Sequence, residues 1–277
     1  MKINYLCPYW GSEDKTASDF IESVLSEGYD GIEINLPERP EFLLSLKLKL
    51  NEIKQYRTGF SFIAQCVPEE WNDTPQEHLR RVLQRLKTLA SWEPDAINIH
   101  TGKDYYSFED NCRIIEAVEE FAIKNNVRIW HETHRGRFSF HLPSLIPYIK
   151  QFPQIKLTAD YSHWCSVSES MLDGQGSLLA AVLPHVAHIH ARVGHAQGAQ
   201  VNEPFAPEWK LQFETFMGWW KDILHYRQGQ GDSLFTITPE FGPMPYMPAL
   251  PYTSQPVANQ WEINARMKDH LKIDLCY

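Results

Sequence analysis

The sequence lacks the features that mark membrane, secreted and nucleotide-binding proteins. No apolar run approaches the roughly 18 residues that a membrane span needs, and the first residues have no apolar core of the kind a secretory signal carries. The motifs GxGxxG, Walker A and GxSxG are absent as well. We therefore expect a cytoplasmic protein without a membrane partner, and we expect its chemistry to use none of these three motifs.

Cysteine and positive charge are also scarce. The 277 residues contain 5 cysteines at wide spacing and no CxxC pair, which argues against both a disulfide framework and a zinc knuckle. Lysine and arginine total 26 against 35 aspartates and glutamates, and the net charge is -9. The unpaired cysteines suit a reducing compartment. Because the negative charge repels a phosphate backbone, the composition also predicts no nucleic-acid partner.

A regular alternation of strand-like and helix-like segments runs through the whole chain. The predicted strands span 3–9, 31–36, 60–66, 96–101, 127–133, 155–162, 186–193 and 235–241. The predicted helices span 17–27, 41–56, 74–91, 108–125, 142–151, 169–183, 209–225 and 259–275. Alternating strands and helices indicate a parallel sheet with crossover helices. Eight such pairs predict an α/β fold, a single-domain (β/α)8 TIM barrel over residues 1–277, a length usual for that fold.

Two Pro- and Gly-rich segments interrupt the alternation. They span 194–207 and 242–256, and they follow the seventh and eighth predicted strands. In a barrel these loops lie on the C-terminal rim, where active sites are built, and long loops often carry function. The second segment also fits a linker that precedes the last helix.

Alternation of side chains along each strand places polar residues inside the predicted barrel. Every second residue of a barrel strand points inward, and TIM barrels usually fill that interior with Val, Ile and Leu. Here strands five to eight deliver Glu132, Asp160, His190 and Glu240 to one rim. Three carboxylates and one imidazole suit a divalent cation such as Mn²⁺, Mg²⁺, Co²⁺ or Zn²⁺. The other interpretation makes each an ordinary polar residue at a strand end.

The segments that carry these residues resemble the xylose isomerase-like TIM-barrel superfamily, which includes sugar phosphate isomerases and epimerases. They read GYDGIEINLP, INIHTG, HETH, LTADYSHW, HIHARVG and TPEFGP. The resemblance implies one divalent metal ion held by Glu132, Asp160, His190 and Glu240. It also implies that Glu132 and Glu240 act as the acid–base pair, as in ketose 3-epimerases, and that His163 of the Asp-x-x-His motif binds a substrate oxygen.

A metal ion that binds an α-hydroxy ketone polarises the carbonyl and makes the adjacent C–H acidic. One glutamate then removes that proton and the other returns it, through an enediolate. Return to the same carbon epimerises it, whereas return to the neighbouring carbon interconverts aldose and ketose. The sequence therefore predicts a metal-dependent sugar or sugar-phosphate isomerase or epimerase that acts on a small carbohydrate.

Other polar and aromatic residues at the predicted rim are candidates for substrate binding. They are His100, His163, Arg192, Glu33, Trp10 and His134. Both His100 and His163 suit substrate hydroxyls, or they are buried and bonded to backbone. For Arg192 the choice is between an oxyanion and a nearby carboxylate, and for Glu33 it is between substrate and a metal ligand that it orients. Trp10 is suited to stack on a sugar, and the basic stretch around His134 suits a phosphate or carboxylate, or is a solvated turn.

Several other functions fit parts of the pattern. Ketose epimerases follow the seventh-strand His with Gly-Glu, whereas here Ala191 and Arg192 follow His190, which leaves the substrate open. A metal-dependent lyase or dehydratase begins with the same proton abstraction. An endonuclease IV-like phosphodiesterase is disfavoured by the negative charge and by Gln65 where a His is expected. A non-catalytic sugar-binding barrel has no need of two glutamates.

Adjacent aromatics in the seventh predicted helix bear on assembly. Trp219 and Trp220 cannot both face the barrel. The pair is consistent with a subunit interface in a homo-oligomer, and equally with packing under a loop.

Overall fold

The computed structural model describes residues 1–68 and 72–275. Its strands are β1 (Lys2–Pro8), β2 (Gly31–Ile34), β3 (Ser61–Cys66), β4 (Ala96–Ile99), β5 (Ile129–Glu132), β6 (Leu157–Ala159), β7 (Val186–His190) and β8 (Leu234–Thr238). Its helices are α1 (Ala17–Ser26), α2 (Pro40–Tyr56), α3 (Pro75–Ala90), α4 (Phe108–Asn125), α5 (Leu142–Gln151), α6 (Tyr161–Ser168), α7 (Gly176–Val182), α8 (Lys210–Gly229) and α9 (Gln260–Asp274). Short 3₁₀ turns at Leu183–His185 and Pro207–Trp209 precede β7 and α8.

The strands form a closed parallel barrel in chain order, with β1 paired to β8. The predicted (β/α)8 TIM-barrel fold is therefore confirmed. Most apolar strand residues face the helices, and Ile32, Ile97 and Ile189 are completely buried there. Leu6, Ile63 and Trp130 belong to a small separate apolar cluster. Hydrophobic burial between barrel and helices thus supplies the core, which leaves the inward positions free for polar side chains. Within the described residues, no helix combines the length and apolar character that crossing a membrane demands.

The sixth predicted helix, at 169–183, is confirmed only over α7 (Gly176–Val182), and residues 169–175 are not helical. The chain instead enters α6 directly after Asp160, whose carboxylate accepts a hydrogen bond from the Ser162 backbone N–H at 3.1 Å and caps the helix. Positive φ angles at Glu169, Leu172 and Gly174 then separate α6 from α7. Residues 161 and 162, predicted as the end of the sixth strand, therefore belong to α6, and His163 projects from this helix.

Helix α9 and the two adjacent tryptophans of α8 pack against the rest of the barrel. Helix α9 buries Ile263, Met267 and Leu271 in the core, and the Tyr5 hydroxyl of β1 donates to the Leu271 carbonyl at 3.0 Å. Trp220 is buried, and Trp219 packs edge-on against Tyr161 with ring centroids 5.9 Å apart.

Gly31 permits the close contact between β2 and β3. A Cβ at this position would lie 2.2 Å from the Ser61 carbonyl oxygen, which is backbone and cannot move aside. We predict that Gly31→Ala lowers the free energy of unfolding by about 1–3 kcal/mol, as overpacking does. The matched control is Gly218→Ala in α8, where a Cβ meets nothing within 4 Å; it should raise stability by up to about 1 kcal/mol. Urea unfolding measures both, and equal effects would contradict the steric argument.

His78 anchors the loop that follows β4. It is completely buried on α3, and its Nε2 accepts a hydrogen bond from the Gly102 backbone N–H at 3.1 Å. That acceptor role requires a neutral ring. Burial, with the positive charges of Lys103 and Arg137, lowers the pKa of His78 to about 3.

We therefore predict an acid-sensitive contribution of His78 to stability. Its folded-state pKa lies below the unfolded value of about 6.5. Neutral His78 thus stabilises the fold fully above pH 6.5, and this stability is lost as the pH falls toward 3. Between pH 7 and pH 5, His78→Gln should lose about 2 kcal/mol less unfolding free energy than the unsubstituted protein. Urea titrations at the two pH values test this, and identical pH slopes would refute it.

Candidate metal centre and active site

Four candidate ligands converge at the C-terminal mouth of the barrel. Glu132 and His190 end β5 and β7, Asp160 caps α6 directly after β6, and Glu240 follows β8. One ligand atom from each lies within 4.8 Å of the others, and all four residues are buried. The structure thus brings the four residues predicted for a metal into one cluster.

The buried ring nitrogen of His190 tests whether a cation fits. His190 Nδ1 lies 2.8 Å from Glu240 Oε2 and 3.6 Å from Glu132 Oε2, yet it has no aligned hydrogen-bond partner. Three carboxylates at such spacing repel one another unless positive charge lies between them. One imidazole nitrogen together with three carboxylates is a set of ligands that binds divalent cations. The residues of the cluster therefore fit a divalent cation.

Two further groups within the described residues have the composition of metal ligands. One joins Glu33, His188 and His190, and the other joins His100, Glu132 and His134. Both share a member with the four-residue cluster. Direct contacts already join most of these side chains: Glu33 contacts His188 and His190, and His100 contacts Glu132.

The electrostatics of the cluster divide the carboxylates into two kinds. Burial raises the pKa of Asp160 to about 6, against the opposing charge of Arg192. Burial would raise the pKa of Glu132 too, but His100 and His190 outweigh it and hold that pKa well below the usual range. Burial works against the charged form of His190, yet Glu240, Glu33 and Glu132 raise its pKa well above normal. Protonated His190 is therefore the cation of the metal-free cluster.

Arg192 supplies a second, permanent positive charge. Its guanidinium pairs closely with Asp160 and lies 3.6 Å from Glu240 Oε2. It also donates to His163 Nε2 at 2.9 Å and to Ser162 Oγ at 3.3 Å. Of the two roles predicted for Arg192, pairing with a carboxylate is the one made in this structure. The pair neutralises Asp160 and fixes its direction.

A cavity of about 450 Å³ opens above the cluster. Its lining residues are Tyr9, Trp10, Glu13, Asn35, Pro37, Gln65, Val67, His100, Glu132, His134, Arg192, Glu240 and Tyr246. Four of the six residues predicted to bind substrate therefore line it: Trp10, His100, His134 and Arg192. Both glutamates predicted as acid and base also face this space.

The other two predicted substrate residues lie behind the cavity wall. His163 is buried, with its ring centroid 3.9 Å from that of His134. Glu33 is buried beneath the cluster and bonds to His190 Nε2 at 2.9 Å. In this structure Glu33 therefore contacts a candidate ligand and does not line the cavity.

Sequence reasoning missed Tyr246 and Gln65. Tyr246 comes from the loop at 242–256, and its ring lies 5.0 Å from Trp10 and 4.8 Å from the Arg192 guanidinium. The loop was a clear signal, but an irregular backbone has no period from which to derive a side-chain direction. Gln65 lies on β3, and its amide donates to both Glu33 and Glu240 at 3.2 Å. Strand alternation along β3 would have placed it inside.

His100 and His134 lie side by side at the cavity wall, with their rings tilted by 31°. His100 Nε2 lies 3.0 Å from Glu132 Oε2, and the two imidazole rings lie 4.3 Å apart. Burial and the nearby charge of His100 hold the pKa of His134 well below the usual range. The pair offers imidazole nitrogens that can donate to or accept from hydroxyl groups.

Comparison with solved structures finds TIM-barrel proteins that share the fold of this chain. One match is a xylose isomerase-like TIM-barrel protein from Mycobacterium smegmatis in complex with magnesium (TM-score 0.64, 12% identity, covering 98% of this chain and 96% of that one). Another is a D-allulose 3-epimerase from Methylomonas sp. (0.63, 13%, 99% and 98%). A third is the probable 3-DHS dehydratase AsbF of Bacillus anthracis (0.63, 14%, 98% and 99%). No protein-family model and no curated protein sequence matches the chain.

We predict that the cluster binds one metal ion and that the affinity depends on the charge of Asp160. We expect metal-free protein to bind one Mn²⁺ per chain in calorimetry. Since loss of an outer hydrogen-bonding partner typically costs about 10–100-fold in affinity, loss of a ligand charge in Asp160→Asn should cost at least that. Asp173→Asn, at an exposed position, is the control and should bind as the unsubstituted protein does. Unchanged binding by Asp160→Asn would remove this residue from the site.

Proposed function

We propose that this chain is a divalent-metal-dependent isomerase or epimerase of a small sugar or sugar phosphate, with Glu132 and Glu240 as the acid–base pair. The observation that carries the proposal is the placement of these two glutamates. They come from β5 and the end of β8, on different sides of the barrel, and both approach His190 Nδ1 at the floor of the cavity. A ligand bound above His190 would have a carboxylate on each flank.

The metal ion would be held by Glu132, Asp160, His190 and Glu240, and when bound it polarises a substrate carbonyl so that the neighbouring C–H becomes acidic. The proton transfers belong to the protein. Glu132 is ionised, because His100 and His190 outweigh the effect of burial on its pKa, and it suits the role of base. Glu240 supplies the proton from the other flank, which inverts the carbon.

The cavity residues fit a small polyol. A volume of about 450 Å³ lies within the range of small-molecule sites. His100 and His134 are placed to hydrogen-bond hydroxyl groups, and Trp10 offers an aromatic face at the rim. Arg192 contacts the same space and suits a carbonyl or hydroxyl oxygen. His163 acts through His134 and Arg192, whose side chains it contacts.

A dehydratase is the second candidate, and the fold similarity to the probable 3-DHS dehydratase supports it. The same glutamate would remove the acidic proton, and a hydroxyl group on the next carbon, protonated by Glu240, would then leave as water. Isomerisation conserves the substrate's atoms, whereas dehydration loses water and creates a conjugated carbonyl. The two reactions are therefore separable in one assay.

Hydrogen exchange in D₂O tests both. The protein is incubated with Mn²⁺ and a panel of ketoses, aldoses, their phosphates and inositol-type ketones, and proton NMR follows after removal of the metal. We expect deuterium beside the carbonyl of at least one compound, with Glu132→Gln and Glu240→Gln lowering the exchange rate about 10²–10⁴-fold, as loss of a general acid or base does.

The controls separate chemistry from binding and folding. Glu214→Gln, exposed on α8, should exchange at the unsubstituted rate, and calorimetry should show that both active-site variants still bind Mn²⁺. An ultraviolet-absorbing product without isomer formation would identify the dehydratase. Full activity of either glutamate variant, or no exchange with any compound while Mn²⁺ is bound, would rule out the proposed acid–base pair.

A further inference from the structure

Glu33 is a completely buried carboxylate below the candidate metal cluster, and it accepts hydrogen bonds at both oxygens. Oε1 lies 2.9 Å from His190 Nε2 and 3.2 Å from the amide nitrogens of Gln65 and Asn98. Oε2 lies 2.5 Å from Thr238 Oγ1 and 3.1 Å from His188 Nε2. Burying such a charge is costly unless it is fully bonded, so this network is specifically built around a negative charge.

The network connects Glu33 to three of the four candidate ligands. His190 is bonded to it directly. The Gln65 amide that donates to Glu33 also donates to Glu240 Oε1 at 3.2 Å. The Asn98 amide that donates to Glu33 also donates to Glu132 Oε2 at 2.8 Å. One carboxylate therefore fixes the positions of His190, Glu240 and Glu132 from below.

The bond to His190 also decides which ring nitrogen can bind a cation. A carboxylate only accepts hydrogen bonds, so the proton of the neutral imidazole must be on Nε2, facing Glu33. The lone pair is then on Nδ1, the nitrogen that faces Glu132 and Glu240 and has no aligned partner. With the opposite tautomer, the ring would present a proton to the metal position.

We infer that Glu33 is a positioning residue, which holds His190 in the tautomer that binds the metal through Nδ1 and anchors Gln65 and Asn98 beneath the other ligands. It does not line the cavity, so it acts through His190 and not on the substrate. This inference rests on the proposed metal site, and it assigns to Glu33 one of the two roles that the sequence left open.

Two substitutions separate the acceptor from the charge. Glu33→Met keeps a side chain of similar length and removes both acceptor oxygens. Glu33→Gln keeps one oxygen for His190, while its amide group faces Thr238 and His188. Both of those can adapt, because a hydroxyl can accept, and the His188 Nδ1 proton can be donated to Thr236 Oγ1, which lies 2.7 Å away.

Calorimetric titration of metal-free protein with Mn²⁺ gives the first measurement. We expect Glu33→Met to bind about 10–100-fold more weakly, the usual effect of losing a partner behind a metal-bound His, and Glu33→Gln to recover most of that loss. Thr238→Val is the matched control. It removes a donor to the same carboxylate and leaves the bonds from Glu33 to His190, Gln65 and Asn98 in place, so it should weaken Mn²⁺ binding less than Glu33→Met does. Glu214→Met makes the same substitution at an exposed position of α8, and its Mn²⁺ affinity should stay within about twofold of the unsubstituted value.

Nitrogen NMR of histidine-labelled, zinc-loaded protein gives the second measurement and needs no variant, so it stands even if Glu33→Met fails to fold. We expect the His190 proton on Nε2 and the metal-induced shift on Nδ1. A metal-bound Nε2, or unchanged Mn²⁺ affinity in a folded Glu33→Met protein, overturns the inference while leaving the proposed function intact. Failure of the unsubstituted protein to bind Mn²⁺ or Zn²⁺ overturns both.

Discussion

Repulsion among buried carboxylates is the constraint on which the rest of this structure depends. Glu132, Asp160 and Glu240 share one small volume at the mouth of the barrel, and Glu33 lies directly beneath. Buried charges of one sign are tolerated only when cations or several hydrogen-bond donors compensate them. Arg192, His190 and a layer of amide and hydroxyl donors meet that demand, and a divalent cation would complete it.

The barrel provides the rigid frame that makes this arrangement possible. Its stability comes from apolar residues between strands and helices, while the interior near the C-terminal ends holds polar side chains, where many TIM barrels use Val, Ile and Leu. Each ligand comes from a different strand, so closure of the barrel and the register of neighbouring strands set the ligand distances. Close packing at positions such as Gly31, beside Ser61, is therefore linked to the geometry of the site.

The cavity above the cluster combines imidazoles, aromatic rings and carboxylates. Such a surface offers hydrogen-bond partners to hydroxyl and carbonyl groups, and Arg192 is also bonded to Asp160, His163 and Ser162. In the proposed reaction, the imidazoles and aromatic rings would bind and orient a polyol, and the flanking glutamates would move protons. Division of these tasks among different strands is the usual way in which this fold supports varied chemistry.

Period-two alternation and the order of segments determined the fold and the four candidate ligands from the sequence alone, because strand parity and strand ends follow directly from residue spacing. What they did not determine depends on contacts between distant segments. The start of α6 at Asp160, the pairing of Arg192 with that residue and the inward position of Tyr246 arise from loop paths and local capping. The same is true of Glu33, whose role is set by the distance to His190 across the barrel. Only the tertiary structure fixes such distances.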